Sequence, residues 1–295
     1  FGSSINFYLK SASKEDITIT ILDEKGQTVR TLKTEKKTES GQRVGGRAAK
    51  PFTMPKKAGI NRVWWDLRYD RTKEVKLRTR PIDHDHVYVE PKGWRSFGRG
   101  GRMNGPLVSP GVYSVKLKVG EKEYTQKLEV RKDPHSAGSL ADIQAQKKIL
   151  LEIHENVNTL TAMINQIEWI RKQIYDLIEM LEEGENAEPV IKAAKELDKK
   201  FIAVEDTFFS MGLTGSGDGL RWPDKFYVKH RFLASSIGGS DFPPTTQQIE
   251  VHEMFKQQLA DYQDRLKQLL SQDLSAFNAL LKEKNIPNII PISIK

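Results

Sequence analysis

The amino-acid sequence predicts an α+β chain in two domains, an antiparallel β-sandwich over residues 1–134 followed by an antiparallel three-helix bundle over residues 135–295. Two periodicities and one boundary predict it. Apolar residues recur every second position from residue 5 to 132 and with helical spacing after residue 139. Between the two regimes stands the polar stretch RKDPHSAGS.

The strand signals come first. INFYLK, DITITILD, QTVRTLK, NRVWWDL, GVYSVKLKV and EYTQKLEVRK each alternate or are rich in β-branched and aromatic residues. Turns separate several of them. DEKGQ at 23–27 reads as a hairpin loop in which Gly26 can take a positive φ, VGEKE at 119–123 as a second, and SPGVY at 109–113 starts a strand after a Pro-Gly turn. Short strands punctuated in this way build a sandwich. A long insertion at about 71–109 interrupts them.

Helix signals follow. Ser139, with Asp142 three residues later, makes a helix start with an acid near the positive end of the dipole. No Gly or Pro interrupts the run to Glu183, and Gly184 ends it. Along this helix (about 139–183), ten of the twelve seam positions 143, 146, 150, 153, 157, 160, 164, 167, 171, 174, 178 and 181 are apolar; Gln146 and Arg171 are the exceptions. A second helix is expected over about 188–210, with Pro189 in its first turn. The Gly-, Ser- and Pro-rich residues 211–244 read as a long loop, and a third helix is expected over about 245–284, where Phe255, Leu259, Tyr262, Leu266, Leu269 and Leu280 form a seam.

Composition bounds the function. The chain has 295 residues, 38% hydrophobic and 29% charged, which suits packed cores, and no run approaches the ~20 apolar residues of a membrane span. There is no cysteine, which excludes disulfides, thiolate catalysis and cysteine metal sites. Signal-peptide features are absent, and SINFYL already alternates just after Phe1, so the chain is expected to be a piece of a longer polypeptide. Residues 1–135 hold 29 Lys and Arg against 16 Asp and Glu, a net of +13, whereas residues 136–295 hold 18 against 23. Such a split suits an anionic partner or a solvated basic surface facing the acidic half.

The densest metal-capable cluster is DHDH at 83–86, where an extended backbone would turn His84 and His86 one way and Asp83 and Asp85 the other. Two ligands do not make a site, so a polar loop is expected. His252 and Glu253 lack the second histidine of H-E-x-x-H, since residue 256 is lysine. FGRGGRMNG at 97–105 could cradle an anion through its backbone, but without recognition aromatics around it a surface or interdomain loop is expected, and nucleic acid is not. LTGSGDGLRW at 213–222 lacks the P-loop arrangement. There is no G-x-S-x-G elbow, no carboxylate dyad can be singled out, and no cofactor is expected.

GINRVWWDLRYD at 59–70 concentrates two of the five tryptophans. Strand alternation sends Val63 and Trp65 to one face and Arg62, Trp64 and Asp66 to the other. One tryptophan fills the core; the other is expected to be covered by the insertion or by the helices, because indole carries a large apolar area.

Three stretches together resemble the immunoglobulin-like module named after the flagellar hook-capping protein. They are ITITILDEKGQTVRTL with D-x-x-G-x-x-V-R-x-L, AGINRVWWDLRYD with G-x-N-x-x-x-W-D, and SPGVYSVKLKVGEKEYTQKLEV with P-G-x-Y-x-V. LRTRP and GW in the insertion, the DP at 133–134 and the tail YQDRLKQLLSQDLSAFNALLKEKNIPNI are similar to a narrower group, the C-terminal regions of large exported bacterial proteins with sortilin-like, BNR-repeat β-propellers. The resemblance implies an Ig-like or fibronectin-like sandwich and an extracytoplasmic accessory region whose first partner is the propeller of the same chain. It carries no catalytic residue over.

Three functions are therefore in contention. The first is a non-catalytic interaction or structural region, binding the propeller or another protein. The second is a carbohydrate-binding module that uses Trp64 or Trp94 as a stacking platform, with Asp66 and Arg68 as polar partners. The third is part of a hydrolase with its site between the two halves, including Asp66, Asp83 or His84. No membrane partner is expected.

Overall fold

The computed structural model describes residues 2–34, 52–91, 93–97, 101–182, 187–214 and 220–291. Within these residues the strands all precede the helices. β1 (Ser3–Leu9) pairs antiparallel with β4 (Gly59–Trp65), placing Ser4 opposite Trp64, Asn6 opposite Arg62 and Tyr8 opposite Ile60. β2 (Ile17–Leu22) and β3 (Thr28–Lys33) join β7 (Gly111–Val119) and β8 (Lys122–Val130) in an antiparallel sheet of order β3-β2-β7-β8. β5 (Lys76–Leu77) and β6 (Arg95–Ser96) form a short pair inside the insertion.

The β2–β3 turn follows its sequence signature. Gly26 has φ 76°, and the Asp23 carboxylate accepts the backbone N–H groups of Lys25 at 2.9 Å and Gln27 at 2.8 Å. A side chain at Gly26 would strain that left-handed backbone.

Strand alternation then assembles a shared core. Phe7, Val63 and Trp65 from β1 and β4 enter the same apolar cluster as Ile19, Ile21 and Tyr113 from the larger sheet. Trp65 is fully buried, meets the Tyr113 ring edge-on at 5.6 Å, and donates its indole N–H to the Arg68 carbonyl at 3.0 Å.

The helical part is built around α1 (Leu140–Leu181), against which α2 (Glu188–Glu205), α3 (Phe226–Ile237) and α4 (Thr246–Gln268) all pack. Ser139 and Asp142 form a reciprocal capping box at the start of α1, as their spacing predicts. Thr245 and Gln248 do the same for α4, which continues through one π-helical stretch, Leu269–Leu274, into α5 (Ser275–Glu283). The Gly184 stop signal lies outside the described residues.

One element departs from expectation. α3 lies within residues 211–244, which were expected to be a loop. Phe226, Tyr227, His230, Leu233 and Ile237 recur at helical spacing and are buried. Those apolar contacts hold a twelve-residue helix that is too short to be stable alone in water. The helical part thus contains four rods: α1, α2, α3 and the continuous α4–α5.

The insertion belongs to this helical packing. Val75, Leu77, Phe97 and Met103 enter the helical core cluster, with the Phe97 ring edge-on to Phe209 at 5.0 Å and to Tyr227 at 4.9 Å. No helix among the described residues is long and apolar enough to cross a membrane.

Candidate functional site

α1 carries a polar stripe beside its apolar seam: His154, Asn158, Asn165 and Glu168, spaced four, seven and three residues apart on one side of the helix. Each side chain takes hold of the extended backbone of residues 70–79. His154 Nε2 donates to the Asp70 carbonyl at 2.9 Å, and Asn158 accepts the Lys73 N–H at 2.9 Å. Asn165 accepts the Lys76 N–H at 2.7 Å and donates to the Glu74 carbonyl at 2.8 Å. Glu168 accepts the N–H groups of Arg78 and Thr79, the latter at 2.7 Å, and the Thr79 hydroxyl at 3.0 Å. Nearly all these contacts read main chain, so they fix a path rather than a sequence.

The stripe ends in a buried charge cluster. Arg171 donates to Asp198 at 2.8 Å, to Glu205 at 2.8 Å, to the Tyr175 hydroxyl at 2.6 Å and to the Thr79 hydroxyl at 3.3 Å. Tyr175 donates onward to Asp198 at 2.9 Å. From the insertion, Arg95 donates to the carbonyls of Thr79 at 2.8 Å and Leu213 at 2.7 Å. Burial weighs against the Arg171 charge, yet the Glu205 and Asp198 carboxylates hold it above the ordinary arginine value. Burial first, and the neighbouring Glu168 second, push the Glu205 carboxyl well above the usual carboxylate range, against the pull of Arg171. Arg171, Glu168 and Glu205 are all fully buried. The space expected to hold a hydrolytic centre is filled here by salt-bridged and hydrogen-bonded groups. A surface cavity of about 440 Å³ reaches the outer members of the cluster, Tyr175 and Asp198.

A different surface faces solvent on the small sheet. Tyr8, Ile60 and Trp64 are 69%, 79% and 61% exposed and alternate with the buried positions of β1 and β4. Between them Arg62 Nε donates to Asn6 at 2.8 Å. The expectation that the outward tryptophan is covered is therefore corrected: the insertion turns to the helices instead, because its apolar side chains find their core there.

The remaining predicted site residues are spread over several contacts. Asp66 accepts the Arg68 N–H at 3.3 Å, closing the turn in which Leu67 has φ 56°. Arg68 donates to the Gly105 carbonyl at 3.0 Å, tying the strand end to the insertion. Trp94 is half-buried, with Lys76 Nζ 4.4 Å from its ring centre and the Arg78 guanidinium at 5.9 Å. Arg78 also lies 4.3 Å from the Trp169 ring, so the Trp94 side chain belongs to the contact with α1. The His84 and His86 rings do approach one another, edge-on at 5.7 Å, next to Asp83 with φ 62°. Among the described residues no third ligand joins them. Residues 98–100 and 215–219, within the two glycine-rich segments, lie outside the described residues.

Sequence reasoning missed one grouping. Glu152, His252 and Glu253 bring three possible ligand atoms within 4.8 Å of one another. His252 Nε2 lies 3.0 Å from Glu152, and that contact, more than Lys256, lowers the Glu152 carboxyl below its usual range. Lys256 Nζ, 3.1 Å from Glu253 and 3.7 Å from Glu152, already supplies a cation to both carboxylates. The grouping is a satisfied ion-pair cluster, and its Glu152 comes from α1, a hundred residues before His252.

No protein-family model, curated protein or solved structure matches this chain.

Proposed function

We propose that this chain is a non-catalytic interaction region, an Ig-like β-sandwich braced by a helical bundle. In this reading it belongs to a larger exported bacterial protein and supports its sortilin-like propeller, or joins it to a partner, outside the cytoplasm. The observation that carries the reading is the outer face of β1 and β4, where Tyr8, Ile60 and Trp64 stand exposed together. Large apolar residues grouped on one sheet face mark binding surfaces more often than idle ones. The buried cluster around Arg171 supports the non-catalytic side of the reading, since its groups are engaged in holding the insertion to α1 and α2.

The test is binding between this chain and the rest of its polypeptide, expressed separately. Trp64→Ala and Ile60→Ser are expected to weaken it at least about tenfold, as central aromatic anchors do. Equal binding by wild type and both variants would remove the β1–β4 face from the proposal.

One observation favours a second reading, carbohydrate binding. Trp64 offers an open indole face on a sheet whose neighbouring Asn6–Arg62 pair supplies hydrogen-bonding groups. Retention on a glycan array that is lost in Trp64→Ala and kept in Trp94→Ala, whose ring lies against Lys76, would select this reading over the first.

A further inference from the structure

We propose that Glu168 and Glu205 share one bound proton, and that this proton latches residues 70–79 onto α1. The proposal does not depend on what the β1–β4 face binds.

Geometry makes the case. Glu205 Oε2 receives the Arg171 guanidinium at 2.8 Å, whereas Glu205 Oε1 is buried and no donor group reaches it. Its carboxyl neighbour in hydrogen-bonding contact is Glu168. Two carboxylates are both acceptors, so such a contact closes only when one of them carries a proton. An ionised, undonated oxygen at this depth would be far costlier than a carboxylic acid that donates to its neighbour. Paired carboxyl groups sharing a site commonly hold a proton in this way.

Charge balance points the same way. The groups facing Glu205 are Arg171 and Glu168 from α1, Arg95 from β6, and Asp198, held to the same guanidinium, from its own helix α2. Tyr175 and Thr79 complete the cluster with neutral hydroxyls. Two guanidiniums therefore meet three carboxyl groups. With one proton on the Glu168–Glu205 pair the cluster is neutral; without it, one uncompensated negative charge is buried.

The latch follows from what Glu168 does with its other lone pairs. It accepts the backbone N–H groups of Arg78 and Thr79 and the Thr79 hydroxyl. When the proton leaves to solvent at alkaline pH, repulsion between the two carboxylates pushes Glu168 or Glu205 out of place. The Arg78 and Thr79 amides then lose their acceptor. Asp198 and Tyr175, which line the surface cavity, provide the side from which water reaches the cluster.

The test is an NMR titration of the ¹⁵N-labelled chain, reading the Arg78 and Thr79 amides from mildly acidic to alkaline pH. Both are expected to report one shared titration well above the ordinary carboxylate range, and Glu205→Gln, which donates permanently to Glu168, is expected to abolish it. An infrared band of a protonated carboxyl group is expected in the wild type at neutral pH and lost in the variant. Amides that stay flat in the wild type, a titration that persists in Glu205→Gln, or the absence of the infrared band overturns the proposal. Should Glu205→Gln fail to fold, Glu168→Gln, which places an amide donor against Glu205, carries the same expectation. The wild-type titration and infrared band decide in any case.

Discussion

Arg171 Nη1 lies 2.8 Å from Glu205 Oε2, and neither side chain has any exposed surface. The pair joins α1 to α2, and through the Thr79 hydroxyl it reaches the insertion as well. Removing one partner of a buried pair leaves the other without compensation. Arg171→Met is therefore expected to destabilise the chain by about 3–5 kcal/mol. Urea denaturation checks this, and a loss under about 1 kcal/mol would mean that the cluster relaxes or hydrates freely.

The two adjacent tryptophans separate in the same assay. Trp65 is fully buried against Tyr113, so Trp65→Ala should cost about 3–5 kcal/mol. Trp64 projects from the outer face, and Trp64→Ala should stay within about 0.5 kcal/mol of wild type. Comparable losses in both would contradict the observed alternation.

Gln146 is the other polar residue in the α1 seam. Its side-chain amide donates to the carbonyls of Ile237 at 2.9 Å, Phe242 at 3.2 Å and Ser240, gathering the chain that leaves α3. Gln146→Leu keeps the bulk but leaves buried carbonyls without their donor. A loss of about 1–3 kcal/mol is expected, with faster amide exchange in residues 238–242. Unchanged exchange there would show that this chain segment does not need the amide.

His230 makes the acid limb of stability. It stacks on Phe255 at 4.8 Å and donates Nδ1–H to the Phe226 carbonyl at 3.1 Å, while Nε2 is buried without a partner. Burial, with a smaller push from His252 and against the Phe226 hydrogen bond, lowers its pKa to about 4. The folded state therefore binds fewer protons than the unfolded one. Its contribution is fully present above the unfolded value of about 6.5 and is lost as pH falls toward 4. The gap corresponds to roughly 3 kcal/mol. His230→Phe should flatten this limb relative to wild type in denaturation series across that range; identical pH profiles would refute it.

Gly105 marks a close approach between strand end and insertion. A Cβ there would stand 2.2 Å from the Tyr69 carbonyl oxygen, so Gly105→Ala must shift backbone. A loss of about 1–3 kcal/mol is expected in thermal or urea melts, as for other overpacked sites.

Much of the local structure was legible in the residues themselves. Alternation in ITITIL and GVYSVKLKV predicts β2 and β7, Gly26 predicts the turn between β2 and β3, and Ser139 with Asp142 predicts the start of α1. These signals work because their chemistry is near-neighbour: side-chain period, φ preference and capping all act within a few residues. The α3 signal was present too, in FYVKHRFLASSI, but the Gly, Ser and Pro around it gave the whole stretch the composition of a loop.

Tertiary structure decided what those elements meet. The alternation of β4 separates Trp64 from Trp65, yet only the placement of the insertion leaves Trp64 in solvent. The two exceptions in the α1 seam, Gln146 and Arg171, read in sequence as interruptions, and in the fold they are buried tie points. Their partners lie from 27 to 96 residues away, and so does the grip of Glu168 on Thr79, at 89. Periodicity says which way a side chain points from its own helix or strand. Whether a charge found there is exposed, paired or protonated depends on dielectric and neighbours that only long-range packing supplies.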